Sequence, residues 1–155
     1  MSIEVRFQKL DERATIPAYQ TAGAAGLDLV ACLPRGDHGS EVVIDPGQRA
    51  LIPLGLATAI PHGFEGQVRP RSGLAVKQGV TVPNAPGTID SDYRGEMFVG
   101  LINLGPSAFT VRHGDRIAQL VIAPVMQAHL VEVSELDETS RGAGGFGSTG
   151  VATSG

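Results

Sequence analysis

The chain predicts an all-β single domain, and three observations carry that reading. Its 21 glycines and 10 prolines punctuate short apolar runs, a pattern of many turns between short strands. Apolar and polar residues alternate from the start, where Ile3, Val5 and Phe7 sit between charged or polar neighbours. At 155 residues the chain holds one core, burying roughly 68–70% of its unfolded surface, and leaves no room for a second domain.

The strands can be placed in order. Ile3, Val5 and Phe7 give a first strand with one buried face, and residues 21–25 form a loop of small residues. Residues 26–31, Gly-Leu-Asp-Leu-Val-Ala, make a strand that opens with the carboxylate of Asp28 among apolar neighbours. On its own such an Asp more often serves as a turn or cap residue. Residues 42–44 and 50–54 are two more strands separated by Asp45-Pro46-Gly47-Gln48, and residues 56–60 continue the pattern up to Pro61-His62-Gly63. Arg69 and Arg71 then fall on one strand face. Ser72 is placed to cap a short helix that stops at Gly79. A helix start beside arginines suits an anion, although taken alone the stretch reads first as a plain cap with solvated side chains. Residues 97–104 and 108–111 read as strands, and residues 114–121 as a turn feeding another. Gln119 interrupts the last one's apolar neighbours, which in an alternating strand places it in solvent.

Between the apolar runs 80–82 and 97–102 lies a hairpin that carries functional groups. In Asn84-Ala85-Pro86-Gly87, Pro86 fixes φ and Gly87 can take a positive value, so the chain reverses sharply. Thr88-Ile89-Asp90 starts the returning strand, with Thr88 and Asp90 on one face and Ile89 on the other. The Asp-Ser-Asp sequence is also compatible with a carboxylate that merely caps its own backbone.

Composition excludes several functions. The N-terminus alternates and has no uninterrupted apolar segment of the kind that directs export, and the run at residues 120–126 is broken by Pro124 and far too short to span a bilayer. Cys32 is the only cysteine, so no internal disulfide forms and a reducing compartment, the cytoplasm, is expected. A net charge of −4 argues against stable nucleic-acid binding, so an anionic ligand needs a local cluster of cations. His38, His62, His113 and His129 lack ligand spacing for zinc. The acidic stretch at residues 132–138 reads as an exposed linker, and the Gly/Ser-rich tail as mobile. Residues 142–147 match G-x-G-x-x-G, but too little chain follows for a dinucleotide-binding unit.

Gly-Thr-Ile-Asp-Ser-Asp-Tyr-Arg-Gly-Glu at residues 87–96 closely resembles the third motif of the trimeric dUTP pyrophosphatases (dUTPases). Ala-Gly-Leu-Asp-Leu at 25–29, Arg-Ser-Gly-Leu-Ala at 71–75, Gly-Asp-Arg-Ile-Ala-Gln-Leu-Val at 114–121 and Arg-Gly-Ala-Gly-Gly-Phe-Gly-Ser-Thr-Gly at 141–150 resemble the first, second, fourth and fifth. All five occur in the family's order and cover nearly the whole chain.

The resemblance implies a jelly-roll-like β-barrel with one short helix, assembled as a homotrimer whose active sites are shared between subunits. It implies a barrel over residues 1–136 and a flexible arm over 137–155 that closes over the site. It further implies hydrolysis of dUTP to dUMP and pyrophosphate, keeping uracil out of DNA and supplying dUMP for thymidylate synthesis. Asp90 would be the catalytic base, and Asp28 would reach a hydrated Mg2+ held mainly by the substrate phosphates. Arg71, Ser72, Gly73 and Gln119 would hold the phosphates from the barrel, with Arg141, Gly147, Ser148 and Thr149 contributing from the arm. Asn84, Gly87, Thr88 and Ile89 would read the uracil edge, Tyr93 would lie against deoxyribose, and Phe146 would cover the base. A dCTP deaminase of the same fold and a nucleotide-gated interaction module are the alternatives.

Overall fold

The computed structural model describes residues 3–35 and 41–145. Among these, ten strands and one helix follow in the order β1 (Arg6–Lys9), β2 (Leu27–Val30), β3 (Glu41–Ile44), β4 (Arg49–Ala59), β5 (Phe64–Arg69), α1 (Ser72–Gln78), β6 (Val80–Thr81), β7 (Gly87–Ile89), β8 (Glu96–Asn103), β9 (Phe109–Arg112) and β10 (Arg116–Pro124). Every ladder is antiparallel. Strands β1-β4-β8-β6 make one four-stranded sheet, β2-β10-β5-β7 another, and β3-β9 a two-stranded ribbon. The all-β, jelly-roll-like class holds, with α1 as the one short helix among the described residues.

Period two builds the core. In β8, Met97, Val99 and Leu101 are buried while Phe98 is exposed, and these inward residues join Ile52 and Leu54 of β4 with Leu29, Ile117 and Leu120 from the other sheet. Where the period breaks, the register shifts. Ile117 and Ala118 are both buried because a bulge separates the Arg116↔Val30 pair from Ala118↔Leu29. That one-residue slip brings Gln119 level with Asp28 on one side and Arg69 on the other.

A second irregularity in β4, between Pro53 and Ala57, centres on Gly55 at φ 63°. Its carbonyl accepts the backbone N–H groups of Leu10 and Asp11, and a Cβ there would stand 2.9 Å from the Cys32 sulfur. Arg13 closes the same loop on Asp11. Its side-chain hydrogen bond, helped by its backbone N–H, holds the Asp11 carboxyl down to about 2. Burial pushes the Cys32 thiol up, which keeps it inert.

Several expectations change once partners are known. β1 begins only at Arg6, because its partner β4 ends opposite it at Ala59 and the chain turns away through Pro61. β3 and β4 flank the expected turn, closed by Gln48 N–H to the Asp45 carbonyl, yet they lie in different sheets. The run 80–82 does pair with β8, but the strand after the turn does not return along it: β7 crosses to the other sheet and pairs with β5. In α1 the first ladder bond runs from Ala75 N–H to the Arg71 carbonyl. The cap position is therefore Arg71, with no side-chain cap bond, and Ser72 is the first helical residue. The helix stops at Gly79, φ 70°, as the sequence indicated.

Asn103 joins three segments at the end of β8. Its Nδ2 donates to the carbonyls of Ile44 and Ser107, both at 2.8 Å, and its Oδ1 accepts Gly105 N–H at 2.9 Å, with the residue fully buried. Asn103→Ala leaves these groups without partners and costs on the order of 3 kcal/mol. Urea unfolding checks this, and a midpoint shift corresponding to less than about 1 kcal/mol would show that water replaces the amide.

Candidate active site

Asp28, on β2, points into a cleft of about 560 Å³ that Arg71, Ser72 and Gly73 border from the start of α1, and Gln119 and Arg116 from β10. With Lys77 also on the wall, three cations face one carboxylate. This is the local positive cluster that an overall acidic chain needs in order to bind an anion. Asp28 is held on both sides, its Oδ1 at 3.5 Å from Arg71 Nε and its Oδ2 at 3.2 Å from Arg116 Nη1. Arg71 Nη1 donates to the Arg116 carbonyl at 2.8 Å, so one fork ties α1 to β2 and β10. Gln119 is half-buried, not in solvent. Its Nε2 donates to the Pro70 carbonyl at 3.0 Å, and its side chain fills the space a Cβ on Gly26 would need.

Arg116 and Lys77 were not picked out from the sequence. Arg116 sits at the turn-to-strand boundary, and only the bulge after it swings it toward Asp28. The signal available was its place in the Gly-Asp-Arg-Ile-Ala-Gln stretch.

The second group lies on and after β7. Gly87 and Ile89 are buried, Thr88 and Asp90 exposed, so the expected division of faces is what the strand shows. Ile89 packs in the core and fixes Asp90's position along the chain. The turn beyond it is closed by backbone, Tyr93 N–H to the Asp90 carbonyl at 3.2 Å, and Arg94 Nη1 donates to the carbonyls of Ser91 and Tyr93, both at 2.7 Å. Among the described residues nothing hydrogen-bonds the Asp90 carboxylate, so it does not act as the cap of its own turn. It borders a cavity of about 610 Å³ with Thr88, His62 and Glu65. Asn84 stands exposed beside Gly87 and Gly100, and Tyr93 is exposed with its hydroxyl on the Glu96 carbonyl at 2.8 Å.

A single chain does not bring these groups into one pocket. Gln119 borders both the cationic cleft and a smaller cleft with Arg69, Ala85 and Pro86, while Asp90 opens onto a third. Arg141 is exposed, and its Nε donates to the Gly144 carbonyl at 2.8 Å in a local turn. Phe146, Gly147, Ser148 and Thr149 lie outside the described residues.

No group of three or more His, Cys, Asp or Glu side chains among the described residues is arranged to hold a metal alone. Asp28, a single carboxylate in a cleft for an anion, instead suits an ion that arrives with phosphate oxygens and keeps its own waters.

Residues 12–150 match the family model described as dUTPase. The deoxyuridine 5'-triphosphate nucleotidohydrolase of Desulfotalea psychrophila is 60% identical over 155 residues, covering 97% of this chain and all of that protein. The protein of the same name from Caulobacter vibrioides is 58% identical over 151 residues, covering 96% of each. Among solved structures, the Staphylococcus bacteriophage 80alpha dUTPase with dUPNHPP superposes with a TM-score of 0.84 at 26% identity, covering 97% of this chain and all of that one. A mutant dUTPase of phage phi11 of S. aureus, described with a structural Mg(II) ion, superposes at 0.76 and 23% identity over 88% of this chain and all of that one.

Proposed function

The chain belongs to the dUTPase family, it hydrolyses dUTP to dUMP and pyrophosphate, and we propose which of its residues carry out each part of that reaction. The observation that carries the proposal is the Asp90 carboxylate, exposed, free of hydrogen bonds among the described residues and locked in register by buried Ile89. Asp90 takes a proton from water as its oxygen bonds to the α-phosphorus, and the bond to the bridging oxygen breaks to release pyrophosphate. Phosphoryl transfer asks the protein mainly for placement and charge neutralisation. Arg71, Ser72, Gly73 and Gln119 supply these from the cationic cleft, with Arg141, Gly147, Ser148 and Thr149 closing on the phosphates. Asp28 is the residue that would hold hydrated Mg2+ through a water, and the bound ion would neutralise charge on the triphosphate oxygens.

Base choice rests on Asn84 and the backbone of Gly87, Thr88 and Ile89, which pair with the uracil edge. A site built for one hydrogen-bonding pattern rejects another by roughly 10⁴–10⁵, which excludes cytosine. Thymine is excluded by its methyl group. Tyr93 lies against deoxyribose where a 2'-hydroxyl would clash, and Phe146 covers the base.

Each site is shared within a homotrimer. Two observations support this: the phosphate cleft and Asp90 open separately in one chain, and Leu51, Met126, Leu130 and Leu136 are left exposed as a second copy would cover them. The enzyme is cytoplasmic, in keeping with its buried, unpaired Cys32. No described helix is long and apolar enough to cross a membrane.

The test is pyrophosphate release from dUTP, with dCTP, dTTP and UTP alongside. Cleavage of dUTP alone supports the reading, ammonia from dCTP would replace it with deamination, and binding without cleavage would leave an interaction module.

Residues 1–136 form the catalytic barrel and 137–155 an arm that completes the site. Removing residues 141–155 lowers turnover by about 100-fold, the scale of a lost positioning element, while the assembly persists. Light scattering beside the assay checks this, and loss of the trimer on truncation would assign the segment to assembly.

A further inference from the structure

We infer that Gly95 and the Glu96 carbonyl form the seat of the Tyr93 ring, which makes Gly95 a positioning residue for the choice between deoxyribose and ribose. The inference rests on the placement of Tyr93 against the sugar. A Cβ on Gly95 would stand 2.5 Å from Tyr93 Oη, 2.7 Å from Cζ and 3.1 Å from Cε2, so the phenol end of the ring lies directly across this residue. Gly95 is not in a left-handed conformation, so the backbone there accepts any residue and glycine serves only to leave room.

The rest of the seat is rigid. Tyr93 Oη donates to the Glu96 carbonyl, and Glu96 is fixed in turn, opposite Ala57 in the β4–β8 ladder with its Oε1 accepting Gly55 N–H at 3.1 Å. At its other end the ring grows from the turn closed on Asp90. The orientation of the ring is therefore referenced to the strand that begins at Glu96 and to the backbone of Asp90. Tyr93 as a whole is 43% exposed, so its ring can swing outward without opening the core.

A methyl group on residue 95 therefore displaces the ring and leaves the fold intact. Displacement opens the space that a 2'-hydroxyl would occupy and removes a surface from deoxyribose. Misplacement by about 1 Å at such a contact costs up to about 100-fold, so the dUTP:UTP ratio of kcat/KM falls by about 10- to 100-fold in Gly95→Ala.

The experiment compares wild type, Gly95→Ala, Tyr93→Ala and the double variant for kcat and KM on dUTP and UTP, with thermal unfolding of each. The expected result is wild-type stability for Gly95→Ala, a raised KM for dUTP, a lowered KM for UTP, and a double variant no worse than Tyr93→Ala alone. An unchanged ratio in Gly95→Ala, additive losses in the double variant, or a Gly95→Ala protein that does not fold each overturn the inference, the last because the ring would then be unable to yield. Wild type without preference for dUTP would overturn the functional reading as well, whereas a wild-type preference that Gly95→Ala retains overturns this inference alone.

Discussion

Asp90→Asn lowers dUTP turnover by about 10³-fold while leaving binding of a non-hydrolysable dUTP analogue nearly unchanged. Asparagine has the size of aspartate and can still orient a water, but it cannot take up the proton released when that water bonds to phosphorus. The substitution touches no buried contact: Asp90 is exposed, its carboxylate has no hydrogen-bond partner among the described residues, and Ile89 continues to anchor the strand end. Lost activity with retained stability would thus report chemistry. Asp92→Asn is the control, because Asp92 is also exposed and borders the same cavity, and its turnover should stay within about threefold of wild type, the scale of a substitution outside the chemistry. Steady-state kinetics and analogue titration separate the outcomes. Retention of more than a tenth of wild-type turnover by Asp90→Asn would return Asp90 to a turn role.

The all-β class, the exposed face shared by Thr88 and Asp90 and the stop at Gly79 were legible because each follows from local chemistry. Alternation places side chains, and glycine ends a helix, wherever the segment finally packs. The partner of a strand is a different kind of fact. Nothing in Gly87-Thr88-Ile89 says that β7 pairs with β5 and not with the strand just before it, because the choice depends on Val68 and Gly66 arriving from well upstream in the chain. The bulge at Arg116 is equally invisible in the sequence, yet it decides that Gln119 is half-buried at the cleft and that Arg116 meets Asp28. The gathering of Asp28, Arg71 and Gln119 could be anticipated only from the resemblance of whole motifs. Their periodicities alone favour a cap, a solvated arginine and a surface glutamine.

Arg71→Ala lowers kcat/KM for dUTP by about 10³-fold, the upper end for removing one charge-assisted donor group aimed at a reacting phosphate. Two losses combine. The cleft gives up one of its three cations, and the fork that spans Asp28 and the Arg116 carbonyl disappears, leaving Asp28, whose side chain is only 14% exposed, with Arg116 as its one ion-pair partner among the described residues. Arg71→Lys distinguishes the two. Lysine restores the charge but offers a point donor, which cannot reach Asp28 and the Arg116 carbonyl in one planar geometry. If placement matters most, Arg71→Lys recovers less than about a tenth of the lost kcat/KM, and Arg116→Ala, which releases the other side of Asp28, weakens activity in the same direction. If Arg71→Lys is instead close to wild type, the cleft works as a simple positive field. Its rate should then fall with added salt as that field is screened over about 8–10 Å, a dependence that a fixed fork against phosphate does not share to the same degree.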